Sequence, residues 1–129
     1  MPPHIRARAM EHIEELARAR KVRVHWVKSR WKAEAHVTTR QVWIPRIRSG
    51  IDYLIALHEF GHICCRRSRR AADNEWSRET EMISESAAWA WAVEQIAPGL
   101  RRHLKDDDWD WVASCLLSYL VPSKRHPKV

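Results

Sequence analysis

The segment YLIALHEFGHICC, residues 53–65, places two histidines four residues apart in an otherwise apolar run. An apolar run of this kind predicts a buried helix, and side chains four apart lie one above the other on a helix. His58 and His62 therefore point at the same place, as two ligands of a tetrahedral metal ion must. A buried imidazole also needs a polar partner, which a metal ion supplies. We predict a metal site on this helix.

Glu59 follows the first of these histidines directly. On a helix it is turned enough from the metal to miss direct ligation, but it can reach a metal-bound water and take its proton. We therefore predict that Glu59 is a catalytic general base and acid.

A third ligand must come from elsewhere, because a catalytic zinc usually has three protein ligands and a water. The downstream candidates are Glu75, Glu79, Glu81, Glu85, Glu94 and His103. Glu85 is favoured because it shares a helix face with residues predicted to pack inward, where a carboxylate needs a charged partner. Glu81, one turn earlier on that face, could exchange roles with it. His103 would serve in a three-histidine site, and Cys65 is more typical of a core thiol than of a ligand.

The composition predicts one folded domain in the cytoplasm. The chain has 129 residues and a mass of 15.3 kDa, and 45% of its residues are hydrophobic. Three cysteines, two of them adjacent, argue against a disulfide framework and for a reducing compartment. The N-terminus has no apolar signal-peptide core, and the longest apolar run, residues 87–93, is too short for a membrane span. The net charge of +7 favours acidic partners, including nucleic acid.

Periodicity along the chain predicts an α+β domain. The predicted elements are a helix from His4 to about Arg20, strands within residues 21–28, 33–37 and 40–45, a helix capped by Ser49 or Asp52 and running to about Arg67, a helix from about Thr80 to Ala97, and a helix from the acidic run at 106–110 to Pro122. We expect a small, mostly antiparallel sheet and a charged loop at residues 66–79. Residues 1–121 should form one domain and residues 122–129 a flexible basic tail.

Two pieces of this chain resemble the small gluzincin-type zinc metallopeptidases of the ImmA/IrrE family. These pieces are YLIALHEFGH (residues 53–62) and ESAAWAWA (residues 85–92), and the resemblance spans roughly residues 20 to 97. It implies a zincin-like minimal metallopeptidase domain that binds Zn2+ through His58, His62 and Glu85. Glu59 would act as general base and acid on a zinc-bound water, and the substrate would be a protein or peptide, either acidic or a DNA-bound regulator.

The chain departs from that family at two points. The family often has Ala-Asn after the ligand glutamate, where this chain has Ser86 and Ala87. Many members also carry a helix-turn-helix or sensor domain, for which 129 residues leave no room. Recognition of a particular repressor therefore does not follow from the resemblance.

Two alternatives compete with this interpretation. One is a basic nucleic-acid- or partner-binding module with a structural metal, in which the arginines of residues 66–70 could grip an acidic partner. The other is a DNA-associated protease that resembles the SprT-like group, which uses a third histidine as ligand. The spacing of this chain favours a glutamate instead.

Other predicted roles stay open between several residues. The oxyanion of a tetrahedral intermediate could be stabilised by Tyr53, Tyr119 or His103. The strand at residues 40–45 could align an extended substrate at the sheet edge. The histidines expected at the surface are His4, His12, His25, His36 and His126. The sequence predicts no oligomeric state.

Overall fold

The structure, a computed structural model, describes residues 1–119 and has the predicted α+β architecture. In chain order its elements are α1 (Pro3–Arg20), β1 (Arg23–Val27), a 3-10 helix (Arg30–Lys32), β2 (Glu34–His36), β3 (Gln41–Pro45), α2 (Gly50–Cys64), α3 (Arg66–Asp73), α4 (Arg78–Gln95), a second 3-10 helix (Arg101–His103) and α5 (Asp106–Ser118). None of these helices is long and apolar enough to cross a membrane. The predicted tail at 122–129 and the predicted helix end at Pro122 lie outside the described residues.

The sheet is mixed, so the expectation of a mostly antiparallel sheet was wrong. Its strand order is β1-β3-β2, with β1 parallel to β3 over five residue pairs and β2 antiparallel to β3 over three. The chain leaves β1 through the 3-10 helix at Arg30–Lys32 and starts β2 beyond β3 instead of turning back as a hairpin. β3 is the central strand and is paired on both sides over Gln41–Trp43, so the expectation that a substrate adds to its edge was also wrong there.

Helix α2 is the centre of the molecule, because the sheet packs on one side of it and α4 on the other. Residues 52–61 are all buried, and Val42 and Ile44 of β3 contribute fully buried side chains to the same core. Ser49 is the N-cap and its hydroxyl oxygen accepts a hydrogen bond from the backbone N–H of Asp52 (3.3 Å). The helix ends at Cys64, before the predicted Arg67, because Cys65 adopts an extended backbone.

Helix α3 occupies residues that were predicted to form a loop, and this is the largest error in the sequence prediction. Its inward stripe consists of two small residues three positions apart, Ser68 and Ala71, which are buried where α3 packs against α4. The arginines lie on the opposite face, so the segment is amphipathic, but its low hydrophobic content led to the prediction of a loop. Packing of the small face against α4 stabilises the helix. The loop is limited to residues 74–77, where Ser77 and Thr80 form a capping box at the start of α4.

The contact between α2 and α4 depends on Gly61. A Cβ atom built on Gly61 would lie 2.5 Å from the carbonyl oxygen of Ala88 and 3.0 Å from its Cα. Because both contacts are with backbone, no side-chain rotation could relieve them. Gly61 therefore permits a backbone approach that any side chain would prevent.

We predict that Gly61→Ala destabilises the protein, although alanine favours helix. The overpacking cost of about 1–3 kcal/mol exceeds the gain in helix propensity of at most about 1 kcal/mol, because α4 has to move. The free energy of unfolding, measured by denaturant titration, should fall by about 1–2 kcal/mol. Ala90→Ser, on the exposed face of α4, is the control and should cost only a few tenths of a kcal/mol. A Gly61→Ala protein as stable as the wild type would contradict this packing argument.

Candidate metal centre

The two histidines of α2 meet one carboxylate of α4. Oε2 of Glu85 lies 2.7 Å from Nε2 of His58 and 3.2 Å from Nε2 of His62. The two imidazole centroids are 4.6 Å apart. His58 is fully buried, whereas the side chains of His62 and Glu85 keep 14% and 16% of their surface exposed. The cluster therefore has one buried end and one end open to solvent.

Glu59 lies at the buried end of this cluster. Its carboxylate is 2% exposed, and its Oε2 is 3.6 Å from Nδ1 of His58, which is longer than a hydrogen bond. Neither of these two atoms has a hydrogen-bond partner within residues 1–119. The ligand atoms of His58, Glu59 and His62 lie within 4.8 Å of one another, so these residues form a group that could hold a metal ion.

Two neighbours fix the orientation of the imidazoles. The ring of Trp89 stacks on His58 with centroids 4.1 Å apart and planes at 14°. Nδ1 of His62 is hydrogen-bonded to Oγ of Ser68 (3.1 Å), which is itself hydrogen-bonded to Oγ of Ser84 (3.1 Å). If the His62 nitrogen donates to Ser68, the lone pair of Nε2 faces Glu85 and is free for a metal. Sequence reasoning missed Ser68 and Ser84, and the one available signal was a serine standing alone among arginines.

The attraction between opposite charges in the cluster offsets part of the free-energy cost of burying it. Burial alone would lower the pKa of His58, but the adjacent carboxylates of Glu59 and Glu85 outweigh this and raise that pKa. Burial alone would raise the pKa of Glu85, but its hydrogen bonds to His58 and His62 hold that pKa well below the usual range. Both shifts favour an ion pair between His58 and Glu85 in the metal-free protein.

The donor set fits a divalent cation. The carboxylates of Glu59 and Glu85 lie beside the two imidazoles, and neither pairs with a lysine or arginine among the described residues. Burying carboxylates without a cation is costly, and a divalent cation would offset that cost. The unpartnered oxygen of Glu59 is a second feature that suits a bound cation.

The other proposed ligands do not join the cluster. Glu75, Glu79 and Glu94 are exposed, and Glu81 contacts neither histidine. Cys65 ends α2, and His103 lies in the second 3-10 helix without a contact to the site. Of the residues proposed as a third ligand, Glu85 is thus the one that reaches both histidines within residues 1–119. Its role as a ligand stays a prediction.

The three proposed oxyanion donors lie in different surroundings. The hydroxyl of Tyr53 accepts a hydrogen bond from the backbone N–H of Ala97 (3.0 Å) and is 2.6 Å from Nδ1 of His12, so it ties α1, α2 and the end of α4 together. His12 is therefore half-buried, and its expected place at the surface was wrong. Burial, and then the charge of Glu85, raises the pKa of Tyr119. His103 lies in the second 3-10 helix.

Comparison of the chain with protein-family models, with curated proteins and with solved structures finds no match. The resemblance to the ImmA/IrrE family therefore rests on the quoted motif residues and stays a prediction.

We predict that the imidazole of His58 stays protonated through neutral pH in the metal-free protein. Because its pKa is raised, its contribution to stability is fully present below the ordinary histidine pKa of about 6.5 and is lost as the pH rises through the raised value. In Glu85→Gln the pKa of His58 should fall, because burial is then opposed by Glu59 alone. The Cε1–H resonance of His58, followed by NMR against pH in chelator-treated protein, measures this.

The control for that titration is Glu94→Gln, an exposed glutamate on the same helix as Glu85. It removes the same charge and should leave the titration of His58 unchanged. A wild-type His58 that titrates at or below about 6.5 would show that the ion pair with Glu85 does not form.

Proposed function

We propose that this chain is a zinc-dependent metallo-endopeptidase that hydrolyses peptide bonds of a protein substrate. The observation that carries the proposal is the meeting of Glu85 with both Nε2 atoms of His58 and His62, with the buried carboxylate of Glu59 at hand and without a hydrogen-bond partner among the described residues. Two imidazoles and a carboxylate are one of the known ligand sets of hydrolytic zinc sites. A carboxylate beside that set supplies the proton transfers that hydrolysis needs.

The spacing of the ligand atoms supports zinc. Ligands bound at about 2.0–2.1 Å in tetrahedral geometry lie about 3.3 Å apart. The observed distances from the Glu85 oxygen to the two histidines, 2.7 and 3.2 Å, need only a small expansion to reach that spacing. A calcium or magnesium site would be built mainly from oxygen ligands, which this cluster does not provide.

When bound, zinc would polarise the scissile carbonyl and lower the pKa of a water molecule. The residues of the chain supply proton transfer and hold the ligands in position. Glu59 accepts the proton of the attacking water and delivers it to the departing amine. Ser68 and Trp89 keep the two imidazoles in place, so that little reorganisation is needed during the reaction.

The DNA-associated alternative with a third histidine ligand has less support. It requires His103 as the third ligand, whereas the side chain that lies within 3.2 Å of both histidines is Glu85. This proximity favours a glutamate as the third ligand.

We predict that the purified wild type binds one zinc per chain and that Glu85→Gln binds it at least about tenfold more weakly. The variant keeps the shape of the side chain but replaces a charged oxygen ligand with a neutral amide. Elemental analysis after dialysis and competition with a chromophoric chelator measure stoichiometry and affinity. Glu94→Gln should bind zinc as the wild type does. Equal affinity of Glu85→Gln and the wild type would remove Glu85 from the site.

We predict that Glu59→Gln retains zinc and loses hydrolysis by about 10²–10⁴-fold, the usual contribution of a general base. New N-termini released from a pool of denatured proteins, identified by mass spectrometry, measure the activity on many candidate peptide bonds at once. A zinc-loaded wild type that releases none would overturn the peptidase assignment. A Glu59→Gln variant that cleaves at the wild-type rate would overturn the role of Glu59 alone.

A further inference from the structure

The charge of this chain is concentrated in one segment. Residues 18–48 contain ten of the 23 lysines and arginines but one of the 16 acidic residues. The remaining 98 residues hold 13 cations and 15 acidic residues, so the segment carries +9 and the rest of the chain −2. This segment forms the end of α1, the whole sheet and the link to α2. The sheet layer is therefore strongly cationic, and a field of this kind attracts polyanions.

The outer face of the sheet carries a cluster of three rings. The inner face of the sheet packs on α2 through Val42 and Ile44, so the alternate residue of β3, Trp43, faces outward. His25 of β1 stacks on Trp43 with centroids 4.6 Å apart and planes at 17°, and His36 of β2 contacts the same ring at 4.3 Å with planes tilted by 49°. The cluster therefore crosses all three strands.

This face is open to solvent within the described chain. His36 is half-exposed, and Trp43 and His25 are partly exposed. The one acidic residue of the segment, Glu34, lies here, 3.5 Å from the ring nitrogen of His36. Among residues 1–119, the main helix contacts of β2 and β3 are with α2, on the inner face.

A basic cleft adjoins this face where β1 and β3 end. Because the two strands are parallel, Lys28 after β1 and Arg46 and Arg48 after β3 come together at one end of the sheet, with Arg30 beside them. The cleft has a volume of about 140 Å3, enough for a phosphate group with water. Its one carboxylate, Asp52, is buried.

That carboxylate leaves most of the positive charge of the cleft uncompensated. Asp52 accepts hydrogen bonds from the backbone N–H of Arg48 (3.1 Å) and the hydroxyl of Ser49 (3.2 Å), and it pairs with Arg30 (3.3 Å). The side chains of Lys28, Arg46 and Arg48 form no ion pair within residues 1–119. Three exposed cations thus face a space of phosphate size.

We propose that the outer sheet face and this cleft bind single-stranded nucleic acid. The cations would hold phosphates, and the exposed rings of His36 and Trp31 would stack on bases, the combination by which proteins bind single strands without reading sequence. Trp31, 56% exposed, follows Arg30 on the 3-10 helix and adds an exposed aromatic side chain to the same segment. A purely acidic protein partner would use the cations but would have no need of the rings.

This surface is separate from the metal centre. The sheet contacts one side of α2, and His58 meets Glu85 of α4 on the other side. The proposal therefore does not depend on zinc or on hydrolysis, and zinc-free protein should bind nucleic acid as well as zinc-loaded protein.

The test is fluorescence anisotropy with a labelled oligothymidylate of about a dozen nucleotides, within the size range of single-stranded sites. Binding is measured between about 50 and 200 mM salt, where log affinity falls by about 0.7 per phosphate contact for each log unit of salt. Two pairs of variants test whether the position of the substituted residues matters. Within each pair, the same number of cations or the same aromatic side chain is removed from the sheet side or from α3 and its loop. The first pair is the triple variant Lys28→Ala, Arg46→Ala, Arg48→Ala against the triple variant Arg66→Ala, Arg67→Ala, Arg70→Ala on α3. The second pair is Trp31→Ala against Trp76→Ala, which is 75% exposed on the α3–α4 loop.

The expected result is salt-dependent binding that each sheet-side variant weakens at least about fivefold, while both control variants bind as the wild type does. The sheet-side triple variant should also lower the salt slope by about 2. Three results would overturn the proposal: no binding by the wild type, equal weakening by the two triple variants, or displacement by polyglutamate as effective as by unlabelled oligonucleotide at equal charge. All variants have exposed sites, so loss of folding, checked by circular dichroism, is not expected to obscure the outcome.

Discussion

The close approach of α4 to α2 at Gly61 is the constraint on which the rest of the structure depends. At this crossing the backbone of Ala88 occupies the space that any side chain on Gly61 would need. Glu85 lies one turn before Ala88 on α4, and His58 and His62 flank Gly61 on α2. The missing side chain therefore sets the distance at which one carboxylate oxygen can reach both imidazoles. The same turn of α2 therefore carries both the tight packing contact and the candidate ligands.

Without a metal, this arrangement lowers the stability of the folded protein. Burying two carboxylates and an imidazole costs free energy unless each finds a partner, and in the metal-free protein the proton on His58 serves as the partner of Glu85. Glu59 is left with an unpartnered oxygen among the described residues. A hydrophobic set of similar volume would stabilise the same crossing better. His58 and Glu59 are almost fully buried, whereas His62 and Glu85 are partly exposed, and titratable side chains clustered in such a setting are a candidate functional site.

The sequence predicted the parts of the site that local periodicity controls. The spacing of His58 and His62 needed only the geometry of one helix, and Glu85 needed only the inward face of another. The polar support of His62 was not predicted, because the segment that carries Ser68, with arginines on one face and small residues on the other, was interpreted as a loop. The hydrogen bond between His12 and Tyr53 joins residues 41 positions apart and leaves no local pattern.

The topology of the sheet also could not be predicted from local sequence patterns. Alternation predicted three strands, and all three are present, but alternation is the same for parallel and antiparallel pairing. The direction of pairing depends on where the link between β1 and β2 crosses, and it has a chemical consequence. Parallel pairing brings the ends of β1 and β3 to the same side, so that Lys28 meets Arg46 and Arg48. In a hairpin of these two strands, those cations would lie at opposite ends. Parallel pairing, which periodicity could not predict, thus brings cations from two separate loops to one cleft. Helix α2 lies between that cleft and the carboxylates of the candidate metal centre.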